Sequence, residues 1–226
     1  MKHFSRLFAV TSIALASCAA ASATPITLGT SVTATPIIVG GTIIAQYTNV
    51  AFTSQAPAGL ASTFNGIYSA AVIQDVNNTL CGTVGSCLTF AIQVQNSGTS
   101  NDGIETVTTG DFSDTFKYNV GYITSGGLSP LSISDSVYGT MGFSFTAPGN
   151  NSSIIAPGAT SQILAIQTSA TNYTAGSISF QDSQTATVAG FMPAVAVTPE
   201  PSSLVLLGTG LIGTATTVLR RRKLIA

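Results

Sequence analysis

The feature that most restricts the fold of this chain is an alternation of apolar and polar residues with a period of two. Leu88-Thr89-Phe90-Ala91-Ile92-Gln93-Val94-Gln95 shows it most cleanly. Phe116-Lys117-Tyr118-Asn119-Val120-Gly121-Tyr122 and Met141-Gly142-Phe143-Ser144-Phe145 repeat it. Successive side chains of a strand point to opposite faces, so this pattern predicts half-buried strands with the apolar face inward. Less regular strands are expected over Thr42 to Phe52, Tyr68 to Asp75, Ile104 to Thr108, Leu131 to Tyr138, Gln162 to Thr168, Ser177 to Gln181 and Thr185 to Phe191.

Clusters of Gly, Asn, Asp, Ser and Pro separate these runs: Gly40-Gly41, Asn77-Asn78, Asn96 to Gly103, Ser125-Gly126-Gly127, Pro148-Gly149-Asn150-Asn151 and Pro157-Gly158. Such clusters mark turns. No stretch of the body carries a helical period, and no fixed-period repeat points to a propeller or solenoid. The expectation is an all-β body, a β-sandwich with Greek-key or jelly-roll-like connections. Thr and Ser on the polar parity suit strand faces open to water.

The two ends differ in kind from the body. Lys2 and Arg6 precede an apolar run from Leu7 to Ala16, and Ala21-Ser22-Ala23 follows. That order predicts a secretory signal peptide over residues 1–23, cut between Ala23 and Thr24. Leu15-Ala16-Ser17-Cys18 also has the form of a lipobox, in which Cys18 would carry lipid. The signal-peptide cut is the favoured reading, because a C-terminal membrane segment makes a second anchor redundant.

At the other end, Pro199-Glu200-Pro201 leads into an uncharged apolar run and then Arg220-Arg221-Arg222-Lys223. Leu204 to Leu219 as a helix would extend roughly 24 Å, short of the ~30 Å hydrocarbon core of a bilayer. A single transmembrane helix is expected over residues 202–219, with the basic tail 220–226 cytoplasmic by the positive-inside tendency. Pro193, Pro199 and Pro201 read as an extended linker over residues 192–201, which leaves residues 24–191 as the sandwich body.

Charge limits what the body can do. Between Thr24 and Thr198 lie Asp75, Asp102, Glu105, Asp111, Asp114, Asp135 and Asp182 against Lys117 alone. One lysine and no arginine cannot neutralise a row of phosphates, so no nucleic-acid partner is expected. The only histidine, His3, falls in the signal peptide. Ser-His-Asp and Cys-His catalysis and histidine metal ligation are therefore outside the mature body's repertoire, and no cofactor is expected.

Three constellations remain. Cys81 and Cys87 flank a five-residue loop with two glycines. In an oxidising compartment they read as a disulfide; redox chemistry and metal ligation are the alternatives. Asp102, Glu105, Asp111 and Asp114 fall close together. They could bind Ca²⁺ with loop carbonyls, supply an acid–base pair for glycoside hydrolysis, or be solvated turn and edge residues, the reading favoured here. Tyr47, Tyr68, Tyr118, Tyr122, Tyr138 and Tyr173 could form a sugar platform. Tyr118 and Tyr122 share parity with Phe116 and Val120, however, which points that face to the core.

The C-terminal segment, carried by Pro199-Glu200-Pro201, Ser202-Ser203, the short span and Arg220-Arg221-Arg222, resembles the PEP-CTERM sorting signal of Gram-negative bacteria. The resemblance implies recognition by exosortase, a membrane-embedded transpeptidase-like enzyme, during export to the surface or into an exopolysaccharide matrix. The body is similar, over Leu88 to Asn96, Gly103 to Tyr122 and Ile155 to Gly190, to a domain of PEP-CTERM proteins without an assigned activity, and this implies no catalytic residues. The functional expectation is an exported, non-enzymatic surface or matrix protein. A carbohydrate-binding or carbohydrate-active module, calcium-dependent through the acidic cluster, is the alternative.

Overall fold

The structure is a computed structural model and describes residues 23–82, 85–110, 112, 115–146, 154–195 and 209. The signal-peptide residues before Ala23, the apolar span 202–219 apart from residue 209, and the sorting residues Pro199, Glu200, Pro201, Arg220, Arg221 and Arg222 lie outside these, as do Asp111 and Asp114. Among the described residues no helix is long and apolar enough to cross a membrane.

Twelve strands follow one another: β1 (Thr24–Ile26), β2 (Ser31–Thr33), β3 (Gly41–Thr53), β4 (Asn65–Asp75), β5 (Leu88–Asn96), β6 (Thr106–Thr109), β7 (Tyr118–Ile123), β8 (Ser132–Asp135), β9 (Met141–Ser144), β10 (Ile163–Thr168), β11 (Asn172–Gln181) and β12 (Thr185–Ala194). They form two six-stranded sheets, ordered β1-β7-β10-β5-β4-β3 and β12-β11-β6-β9-β8-β2, with every strand pair antiparallel. The all-β, two-sheet expectation holds. Each sheet turns its apolar parity inward, and Val72, Phe90, Val94, Val107, Val120, Ile133, Phe143, Leu164, Ile166 and Phe180 fill the space between them.

Two features depart from the sequence reading. The first is β5, expected to be half-exposed and in fact buried on nearly its whole length, polar parity included. Small side chains make this possible. Ala71, Ala91, Ala165 and Gly121 stand side by side across β4, β5, β10 and β7 on the outward face. The segment Thr35 to Gly40 crosses this face. It pairs with β7, where the Ile37 N–H donates to the Tyr122 carbonyl at 2.8 Å and the Tyr122 N–H to the Thr35 carbonyl at 3.1 Å. A side chain at Gly121 would stand 2.4 Å from the Thr35 carbonyl and 2.5 Å from the Ile37 Cγ2, so only glycine admits this approach.

The polar groups of the outward face are sealed rather than hydrated. Asp75 is fully buried. Its Oδ1 accepts from the backbone N–H groups of Gly40 (3.0 Å) and Asn77 (2.9 Å). Its Oδ2 accepts from the Thr89 hydroxyl (2.7 Å) and the Gln167 amide (3.1 Å). Further along β5, the Gln93 amide donates to the Ser161 carbonyl at 3.1 Å and to the Ser125 hydroxyl at 3.2 Å. Buried polar groups must find partners, and these do so by reaching across loops distant in sequence.

The second departure is the end of the body. β12 runs through Ala194, so residues 192–194, assigned above to the linker, belong to a strand. Pro193 pairs opposite Tyr173 on the outermost strand of its sheet. An edge strand needs no second set of ladder hydrogen bonds and therefore tolerates proline.

Candidate functional site

Between β1 and β7 of one sheet and β8 of the other, the sandwich opens into a cavity of about 520 Å³. Its walls are Pro25, Ile26, Thr27, Leu28, Leu80, Phe116, Lys117, Tyr118, Asn119 and Asp135. The lining is mostly apolar, and the size is that of a small-molecule site.

Each wall is held by local structure. β1 pairs with β7, setting Ile26 opposite Tyr118. Phe116 to Tyr118 is fixed by a reciprocal pair: the Lys117 N–H donates to the Ser169 hydroxyl at 2.9 Å, and the Ser169 N–H to the Lys117 carbonyl at 3.0 Å. Leu80 is placed by Asn78, whose Oδ1 accepts from the Leu80 N–H at 3.1 Å and whose amide donates to the carbonyls of Thr168 (2.9 Å) and Leu88 (3.2 Å). The next residue, Cys81, is bonded to Cys87 in the predicted disulfide, with the two Cα atoms 5.7 Å apart.

Asp135 is the unusual member of this lining. It ends β8 on the same parity as Ile133, so its side chain faces the interior. Its backbone is locked to the β1–β2 connection: the Gly29 N–H donates to its carbonyl at 2.8 Å, and its own N–H donates to the Thr30 carbonyl at 2.9 Å. The side chain is 2 % exposed, and neither carboxylate oxygen has a hydrogen-bond partner. Burial without compensation disfavours the ionised form and pushes the carboxyl up to about 6. In the same row of the sheet, Met141 stands opposite Asp135 and Thr109 opposite Met141. The buried Thr109 hydroxyl also lacks a partner.

A second acidic site lies at the far end of β6. There the turn between β11 and β12 brings Asp182 to Asp102, with Glu105 close by. Burial, then the hydrogen bond that protonated Asp182 donates to Asp102 and the charges of Asp102 and Glu105, push the Asp182 carboxyl up to about 6. Two of the four residues grouped in sequence, Asp102 and Glu105, therefore meet a third that their spacing gave no reason to include. No group of three or more His, Cys, Asp or Glu side chains that could hold a metal ion occurs among the described residues.

The tyrosines scatter. Tyr68 is buried, its hydroxyl donating to the Ala189 carbonyl at 2.8 Å. Tyr118 is in the core, as its parity predicts, and Tyr138 stands 90 % exposed on the β8–β9 turn. Tyr47 stacks on Phe191 with ring centroids 4.9 Å apart, and Tyr173 meets the same ring edge-on at 5.7 Å. These three rings join the edges of the two sheets.

Asp135 was legible as an anomaly, an acid on the apolar parity of Leu131, Ile133 and Val137. The pocket around it was not, because its walls come from four separate stretches of chain.

No curated protein and no solved structure is similar to this chain. Residues 197–223 match the PEP-CTERM protein-sorting motif. The match takes in the proline–glutamate–proline tripeptide, the apolar run and the basic cluster in the order read above. This chain carries a PEP-CTERM protein-sorting motif, which indicates an exported protein processed by exosortase, a membrane enzyme.

Proposed function

We propose that this chain is a non-enzymatic protein of the cell surface or exopolysaccharide matrix, held at the membrane by its C-terminal helix until exosortase processes it. The observation that carries this reading is the sorting motif at residues 197–223, joined to a closed β-sandwich whose mature body holds no histidine and no arginine. A sandwich buries its polar backbone in two ladders and presents Ser and Thr to water, which suits a structural or adhesive role outside the cell. Cellular fractionation of the tagged chain tests it. The wild-type body is expected in the surface or matrix fraction, and Pro199→Ala/Glu200→Ala/Pro201→Ala is expected to keep it in the membrane fraction. Full-length protein found solely in the cytosol sinks the reading.

Carbohydrate binding is the second reading, favoured by the Tyr47–Phe191–Tyr173 ring cluster at the sheet edges. Half-exposed aromatic faces are the surfaces on which sugar rings stack. A glycan array run with and without Ca²⁺ separates the two readings. Binding lost in Tyr47→Ala supports the second, and silence across the array leaves the first.

A further inference from the structure

We propose that the end of the sandwich at which β1, β4, β8 and β12 finish rests on the bilayer before processing, with the β8–β9 turn seated in the lipid interface. This contact rests on the membrane anchoring proposed above and names the surface that the anchored body turns to the lipid.

Strand directions define that end. Through their antiparallel neighbours, β8 and β12 run the same way in one sheet, and β1 and β4 run the same way in the other. The cavity joins the two sheets there, since Ile26 of β1, Leu80 after β4 and Asp135 of β8 line it together. The chain also leaves the body at this end: β12 stops at Ala194, and the sorting motif begins at residue 197. Val195 to Pro201, fully extended, reaches at most about 25 Å. β3 alone, with 13 residues, runs about 40 Å. The tether is thus shorter than the body, and the opposite end cannot reach the membrane that holds the tail.

The side chains of this end suit lipid. Tight turns favour polar residues, yet the β8–β9 turn carries Val137 at 68 % and Tyr138 at 90 % exposure. Ser136 fixes the turn. Its hydroxyl accepts from the N–H groups of Tyr138 (3.2 Å) and Thr140 (3.0 Å), and its carbonyl accepts from the Gly139 N–H at 3.0 Å. The two apolar side chains are therefore presented on a rigid tip. Val76 and Val195 stand exposed at the same end, and the recess walled by Pro25, Leu28 and Leu80 lies there too. A tyrosine suits the interface, because its ring enters the apolar layer while its hydroxyl stays among the headgroups.

Charge is placed compatibly. Asp102, Glu105 and Asp182 gather at the opposite end, before β6 and between β11 and β12, away from lipid phosphates. At the lipid-facing end Asp75 and Asp135 are buried and Lys117 is exposed. Asp111 and Asp114, in the connection between β6 and β7, lie outside the described residues. The surface contacted is a zwitterionic one, and burial of apolar side chains, not attraction to anionic lipid, holds the body to it.

The chain contains no tryptophan, so one introduced by substitution reports its own surroundings alone. Full-length Tyr138→Trp is reconstituted into phosphatidylcholine vesicles with and without bromine on the acyl chains. Leu60→Trp, at an exposed apolar position in the β3–β4 connection of the opposite end, is the comparison. Flotation reports anchoring, and circular dichroism reports folding. In Tyr138→Trp the emission is expected to move to shorter wavelength and to be quenched by the brominated lipid; in Leu60→Trp neither is expected. Adding Val137→Asp to Tyr138→Trp should remove most of the quenching, because a charge resists entry into the interface. A floating chain in which neither tryptophan is quenched, or both are equally, overturns the proposal. So does quenching that Val137→Asp leaves unchanged. A shift without quenching marks burial against protein, such as a second copy, and overturns it as well. A chain that does not float overturns the anchoring itself and this contact with it.

Discussion

The Gln167 amide and the Asp75 carboxylate, 92 residues apart in the chain, meet at 3.1 Å beneath the segment that crosses the outer face of the first sheet. The same Gln167 amide donates to the Ile38 carbonyl at 3.3 Å, and Gly40 donates to Asp75. One buried carboxylate thus ties the ends of β4 and β10 to the crossing chain. Asp75→Ala would leave four donors facing no acceptor. A loss of about 3–5 kcal/mol is expected, the range for removing one partner from a buried charged network. Urea unfolding measures it, and a loss below about 1 kcal/mol, the scale of one ordinary hydrogen bond, would show that water replaces the carboxylate there.

Gly121 controls the same crossing from the other side. Gly121→Val would drive a side chain into the Thr35 carbonyl and Ile37. Overpacking of this kind is expected to cost about 1–3 kcal/mol or to displace the segment outright. Hydrogen exchange at the Ile37 and Tyr122 amides would report the displacement directly, through faster exchange at both positions.

The disulfide closes a short loop, so its stabilisation by loop entropy is expected to be modest, about 2 kcal/mol. Cys81→Ser/Cys87→Ser should therefore lower the melting temperature without unfolding the body. Thermal unfolding followed by circular dichroism measures the shift, and a body that is unfolded without the bond would overturn the modest figure.

Stability should fall as pH rises. The Asp135 and Asp182 carboxyls are both pushed up to about 6 in the folded chain, against an ordinary carboxylate value near 4 when unfolded. The folded state therefore holds protons more tightly than the unfolded state. The resulting stabilisation is fully present below about pH 4 and is lost as pH rises through about 6. Asp135→Asn removes the Asp135 share. It should be more stable than the wild type at about pH 8, by about 1–3 kcal/mol, and should lose that advantage at about pH 4. Equal effects at both pH values would show that folding leaves the proton affinity of Asp135 unchanged.

How much was readable in advance follows from which interactions are local. β5 and β9 were placed by their alternation almost to the residue, because side-chain parity is a property of the strand itself. β1 and β2 were missed, since three residues cannot establish a period, and they form only because β7 and β8 offer them an edge. The outward parity of β5 was misjudged for a related reason. Thr89 and Gln93 look like surface residues until the Asp75 network and the Ser125 and Ser161 loops close over them. Ala91 flanked by Ala71 and Ala165 was the one available hint of close approach.

By itself the sequence determined the chemistry and the address. It left one lysine against seven acids between Thr24 and Thr198, paired Cys81 with Cys87, set the all-β class, and carried a sorting motif whose order of parts is linear and so needs no fold to be read. Tertiary structure alone decided which polar groups are buried and which acids meet. Asp102 and Glu105 meet Asp182, which their spacing gave no reason to include, and Asp135 lines a pocket built from β1, Leu80, β7 and the strand it ends. The physical reason is that pairing between distant strands, not spacing along one, fixes how far each side chain stands from water and from every other charge.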